Sequence, residues 1–162
     1  MRFALTQSIG APVDDVAMAY ANEDLYASLT GTSRLSRPEV VDRSEDRGVV
    51  TLGLRYRFVG DLSSAVTAVV DPARLSWVEE SVHDLEARTV KVRLLPDHYA
   101  DRLRCSGTYR YRPDGDTTIR MIEGDLRVRA LLVAGAVEKA IVSGLEEHLD
   151  SEVGAVEAFL GF

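Results

Sequence analysis

Residues 134–160 read AGAVEKAIVSGLEEHLDSEVGAVEAFL, the one long stretch of the chain with sustained helical periodicity. Apolar side chains recur at Val137, Ile141, Leu145, Leu149, Val153, Val156 and Leu160, in steps of three and four that line one helix face. Glu138, Lys139, Glu146, Glu147, Asp150 and Glu157 fall largely off that stripe. Gly135, Gly144 and Gly154 interrupt it, each costing about 1 kcal/mol relative to alanine in a helix interior. Close approach to a sheet or to a ligand would offset that cost. A helix with one long apolar face needs a partner surface, and the rest of the chain must supply it.

Working outward from that helix, the chain is mostly strand. Phe3, Leu5, Gln7 and Ile9 alternate with polar or small residues, the pattern of a half-buried strand. Pro12, followed by Asp14 and Asp15, opens a short helix, and 22–29 forms a second with Leu25, Tyr26 and Leu29 inward. Residues 39–43 are weakly patterned, and Ser44 to Gly48 is expected to turn. Residues 49–58 alternate cleanly. Between Asp61 and Pro72 the spacing of Ala65, Val66, Val69 and Val70 is helical. Strands are then expected at 75–83, 89–95, 103–111 and 117–128, with a hairpin at Pro113 to Asp116 and a bulge near Glu123 to Asp125. Consecutive strands without crossover helices imply an antiparallel sheet, and one apolar face per strand implies that a single face is covered. The fold class is therefore α+β, with about six to seven strands curved around one long C-terminal helix and two short helices after the first strand.

Composition narrows the function. At 162 residues and 46% hydrophobic residues the chain suits one domain spanning 1–162. No apolar run approaches a membrane span, and the N-terminal residues lack the apolar core of a signal peptide. With a single cysteine, Cys105, there is neither a disulfide framework nor a cysteine zinc site. These features favour a cytoplasmic location without integral membrane association. A net charge of −7 argues against nucleic acid as a partner. No GxSxG elbow, HExxH pair or phosphate-cradling glycine loop is present, so neither metal nor cofactor is expected.

Three stretches, FALTQSIGAPVDDVAMAY (3–20), LSSAVTAVVDPARLSWVEE (62–80) and LLVAGAVEKAI (131–141), resemble the START-related, polyketide-cyclase-like superfamily with its helix-grip fold. Within it the chain is similar to an uncharacterised bacterial family of unknown function. Leu131 and Ala134 stand where that family often carries a proline and the first of paired glycines. The resemblance implies a cavity between the concave sheet and the last helix, where related proteins hold lipids, sterols, polyketides or hormones. A shared fold does not assign a function.

Leu54, Tyr56, Trp77, Val92, Tyr109, Met121, Ile141 and Leu145 are the candidate cavity-lining residues, joined on the inward register by Phe58 and Tyr111. For Tyr56, Phe58, Tyr109, Tyr111 and Met121, plain core filling is the stronger reading of each residue taken alone. A cavity of roughly 300–1,000 Å³ would suit a small apolar ligand. The strand at 75–83 reads two ways. If Trp77 faces in, Glu79, Ser81 and His83 follow; the polarity of SWVEESVHD instead favours an exposed end. His148 is placed to border the cavity, and His98 reads as a solvated loop residue. Arg55, Arg57, Arg93, Arg104, Arg110 and Arg120 are assigned mostly to the polar register. Binding of an apolar ligand without catalysis is the leading reading. The alternatives are a cyclase- or dehydratase-like enzyme using Glu79 with Tyr109 or His148, and a protein-interaction module. Oligomeric state is open.

Overall fold

In the computed structural model every residue from 1 to 162 is described except Val69 and Leu131, together with the side chain of Ala65. The elements are β1 (Arg2–Ile9), α1 (Val13–Tyr20), α2 (Glu23–Ser28), β2 (Glu39–Asp46), β3 (Val49–Arg57), α3 (Ser64–Thr67), β4 (Ser76–Asp84), β5 (Thr89–Pro96), β6 (Leu103–Asp114), β7 (Thr117–Val128) and α4 (Ala134–Leu160). A short 3-10 turn at Pro72–Arg74 precedes β4. The seven strands form one antiparallel sheet in the order β1-β7-β6-β5-β4-β3-β2. This is the helix-grip arrangement: a sheet with one covered face, two small helices after its first strand and one long helix lying across it.

Three expectations are corrected. Residues 44–46 belong to β2, and the turn narrows to Arg47 and Gly48, both at positive φ. The helix between Asp61 and Pro72 is only the four residues of α3, and its expected positions at Val69 and the Ala65 side chain lie outside the described residues, as does Leu131. No bulge occurs in β7, whose pairing with β6 runs in unbroken register from Leu103↔Val128 to Asp114↔Thr117. The irregularity lies instead at Val40/Asp42 in β2, opposite β3.

The β7 correction has a chemical cause. The inward register of this strand is Thr118, Arg120, Ile122, Gly124, Leu126 and Val128, and all but Gly124 and Val128 are buried. A charged residue and a glycine on the apolar face break the alternation that normally reveals a strand's phase. Met121, paired across the sheet with Thr6 and Arg110, therefore belongs to the outer face, away from the side that α4 covers. Arg120 is only 2% exposed and leaves the polar register assigned to it.

Helix α4 is tied to one flank of the sheet. Its backbone comes near β1 and β7. Gln7 Nε2 donates to the Leu149 carbonyl at 2.9 Å and to Asp150 Oδ1 at 3.0 Å. The Gly10 amide donates to Glu157 Oε1 at 2.6 Å, and the Val128 amide to Glu138 Oε1 at 2.9 Å. Gly161, at φ 80°, ends the helix in the left-handed conformation that glycine adopts without steric cost. The core of Ile9, Val16, Leu25, Leu52, Leu54 and Val156 fills the space between these layers.

Candidate functional site

Cross-strand registers set out the concave face as successive rows. At one end Trp77 on β4 pairs with Tyr56 on β3 and Pro96 on β5. The next row runs Leu54, Glu79, Leu94, Cys105, Leu126. Then follow Leu52, Ser81, Val92, Gly107, Gly124 and Phe3, and after them Val50, His83, Val90, Tyr109, Ile122 and Leu5. Tyr111, Arg120 and Gln7 lie beyond, at the end closed by α1. So β4 turns Trp77, Glu79, Ser81 and His83 inward, against the expectation of an exposed end. Tyr56, Leu54, Leu52 and Val50, the partners of these four residues, are all buried, and that burial fixes the face.

A pocket opens at the Trp77 end, between the N-terminal half of α4 and strands β4 to β6. Its walls are carbon from Phe58, Leu75, Trp77, Leu94, Ile141 and Leu145, with Leu35, Pro96, Leu103, Ala140 and Gly144 completing them. Arg74, His98 and Tyr99 stand among the lining residues, the Arg74 guanidinium 5.4 Å from the Tyr99 ring centre. The Trp77 indole Nε1 is buried without a hydrogen-bond partner. Space for water-sized occupants amounts to about 70 Å³. A second void of about 20 Å³ lies further in, lined by Glu79, Val92, Cys105, Gly107, Tyr109 and Leu149, with Leu94 and Leu145 shared between the two. Both are smaller than the expected cavity because aromatic and leucine side chains occupy the gap. Gly107 lines this inner void, while its register neighbour Gly124 is covered by the Phe3 ring so closely that no Cβ would fit there.

Of the candidate lining residues, Trp77, Ile141 and Leu145 border the outer pocket, and Val92, Tyr109 and Leu145 the inner void. Leu54 and Tyr56 are fully buried beneath them, Tyr56 stacked on Trp77 at 6.1 Å between ring centres.

The closed end holds a buried polar cluster that the sequence reading missed. Arg120 Nη1 donates to Glu152 Oε2 at 2.8 Å, to the Tyr20 hydroxyl at 2.8 Å and to Gln7 Oε1 at 3.3 Å. Its guanidinium lies 4.0 Å from the Tyr20 ring centre and 4.8 Å from that of Tyr109, within cation–π range. Glu152 Oε1 is 3.2 Å from His148 Nε2, which is also 3.2 Å from the Tyr56 hydroxyl. The available signal was the pair His148 and Glu152, one turn apart on the apolar side of α4.

Electrostatics divide these groups. Burial would raise the Glu152 carboxyl, but the Arg120 charge and the His148 contact outweigh it and hold the group at about 2. Burial alone would lower His148, yet the hydrogen bond and charge of Glu152 raise it. Glu79 has no such partner. Burial, reinforced by the negative charge of Glu152, pushes it up to about 7. His83, bonded to Ser81 Oγ at 2.9 Å, is lowered by burial to about 4 and stays neutral. Among the described residues no three His, Cys, Asp or Glu side chains gather as a metal site.

Residues 4–160 match the model of a family described as "Protein of unknown function (DUF2505)". No curated protein matches the sequence. Among solved structures, the chain is similar to an aromatase/cyclase from a Streptomyces species, at 20% identity and TM-score 0.66, covering 96% of this chain and 90% of that one. It is also similar to norcoclaurine synthase from Thalictrum flavum, at 20% identity and TM-score 0.64, covering 100% of this chain and 87% of that one. Likeness at this identity establishes the shared fold.

Proposed function

The chain belongs to the family described as "Protein of unknown function (DUF2505)", and on that premise we propose that it binds a small, mainly apolar molecule between the sheet and α4. One observation carries this reading: a solvent-reachable pocket walled by carbon, with the only tryptophan of the chain on its wall. A soluble fold gains nothing from leaving apolar side chains around a gap, since each unfilled contact forfeits dispersion and burial energy. With about 70 Å³ free, a ligand enters by displacing side chains such as Leu145.

Trp77 reports on this directly. Titration with the neutral fluorophore N-phenyl-1-naphthylamine is expected to quench Trp77 emission saturably. Ala140→Phe, which fills the pocket from α4, is expected to weaken binding by about tenfold, the worth of one well-placed apolar contact. Absence of saturable quenching, or indifference to Ala140→Phe, overturns the proposal.

A second, enzymatic reading draws on the inner void, which Glu79 and Tyr109 both line and where they would serve as a proton-transfer pair. It requires that a bound carbonyl compound be converted, with product seen by mass spectrometry and lost in Glu79→Gln. A ligand recovered unchanged after prolonged incubation speaks for binding alone.

A further inference from the structure

The inner void indicates which polar group such a ligand carries. Glu79 sits in a row of Leu54, Leu94, Cys105 and Leu126, with Leu145 and Leu149 of α4 across the void. Among the described residues no side chain donates a hydrogen bond to its carboxyl or pairs with its charge. The nearby cations are already engaged: Arg120 and His148 both close on Glu152. One carboxyl is therefore left over in an apolar wall, an arrangement that is unfavourable for the charged form until a partner arrives.

Size and charge then restrict the partner. A space of about 20 Å³ is close to the minimum that holds one water molecule. An ammonium group has that size, whereas a carboxylate or phosphate head exceeds it. An anion would also face both Glu79 and Glu152. The two voids share Leu94 and Leu145, so a group pushed past those side chains from the outer pocket arrives beside Glu79 while its apolar body stays behind. We propose that the inner void receives the protonated amine of an otherwise apolar ligand, with the Glu79 carboxylate as its counter-charge.

The site thereby selects against fatty-acid-like molecules. This inference rests on the binding role proposed above and specifies the ligand class for it. The groups that act on Glu79 are Glu152 and His148 from α4 and Arg120 from β7, while the Tyr109 hydroxyl from β6 is held neutral by burial. Glu79 must be ionised to pair with a cation. Burial holds it near 7, so amine binding expels its proton at mildly acidic pH and strengthens as pH rises.

The test compares octylamine, 1-octanol and octanoate by Trp77 quenching and by calorimetry. At pH 8 wild-type protein is expected to bind octylamine about tenfold or more tightly than 1-octanol, a typical worth for one desolvated charge pair, and to bind octanoate weakest of the three. The amine's advantage is expected to shrink by about tenfold between pH 8 and pH 6, following protonation of Glu79, while 1-octanol affinity stays level. Glu79→Gln should reduce the ratio of amine to alcohol affinity to near one. A ratio near one in wild type, a ratio that survives Glu79→Gln, or one that ignores pH overturns the inference. If 1-octanol binds and the amine shows no preference, only the amine assignment falls. If none of the three binds, the binding role falls with it.

Discussion

Replacing Arg120 with methionine tests whether the closed end of the fold is held by charge. Methionine preserves much of the length and apolar stem of arginine but leaves Glu152 with His148 as its only charged partner. The structure gives the size of the effect in two ways. Arg120 Nη1 makes one bond to a carboxylate and two to neutral oxygens, at 2.8, 2.8 and 3.3 Å. At about 1.5–3 kcal/mol for the charged bond and about 1 for each neutral one, the loss is about 4 kcal/mol. Glu152 is also held at about 2 when folded against an ordinary 4.5, a difference worth about 3 kcal/mol at neutral pH that Arg120 shares with His148. Both agree with the loss of about 3–5 kcal/mol usual when one partner of a buried pair is removed. In a domain of this size that lowers Tm by about 10 °C. The sign of the pH dependence follows from the depressed pKa: the stabilisation is complete above pH 4.5 and is lost as pH falls through 2. Urea denaturation followed by circular dichroism at pH 7 and pH 3 should therefore show a penalty for Arg120→Met that shrinks by about half at the lower pH. The double variant Arg120→Met with Glu152→Leu should recover part of the loss, because it removes the stranded charge. A penalty below about 1 kcal/mol at pH 7, or one equal at both pH values, refutes the account.

Glu79→Gln should act oppositely. The folded pKa of about 7 lies above the ordinary 4.5, so wild type loses stability as pH rises between these values, and the variant does not. Its Tm should match wild type near pH 4 and exceed it at pH 8 by the equivalent of up to about 3 kcal/mol; equal melting curves at pH 8 count against a desolvated, unpartnered Glu79. Gly154 has open space where a Cβ would stand, so Gly154→Ala should stabilise α4 by about 0.5–1 kcal/mol, read from chemical denaturation, and a loss of stability would mean that the space is filled. Gly124→Ala places a methyl into the Phe3 ring and should destabilise by about 1–3 kcal/mol, whereas the double change with Phe3→Leu should restore most of that.

Most of the fold was legible because it is written in periodicity. The α4 stripe, the alternation of β1, β3, β5 and β6 and the absence of crossover helices were enough to define a sheet with one long helix across it. What escaped notice were polar residues in apolar places. Arg120 stood in the apolar register of β7 and shifted that strand's perceived phase, so that Met121 was placed inward and a bulge inferred. Glu79 and His83 made β4 read as exposed. In α4 the apolar stripe drew attention away from Glu152, which lies on the buried side. Each of these polar residues has a reason to be inside: Arg120 and Glu152 pair with one another, His83 is neutral, and Glu79 borders a void. Such residues cannot be found from periodicity, since pairing across 32 positions is a property of the folded chain.

The two flanks of the sheet account for where a ligand can be accommodated. On the β1 and β7 side, Gln7, Gly10, Arg120 and Val128 fasten α4 along nearly its whole length. Opening that side would strand buried polar groups, at a cost of about 1–3 kcal/mol each. On the β4 to β6 side the pocket residues of the N-terminal half of α4, Ala140, Ile141, Gly144 and Leu145, are apolar, and moving the Leu145 side chain breaks no hydrogen bond. The cheap motions are therefore confined to the edge where the pocket lies, and the costly ones to the edge that fixes the fold. Gly144 belongs to the same logic: a Cβ there would meet only the Arg34 side chain at ordinary contact distance, so the glycine is not demanded by packing against the sheet. Gly144 instead lines the outer pocket, and this ties the helix's imperfection to the site it covers.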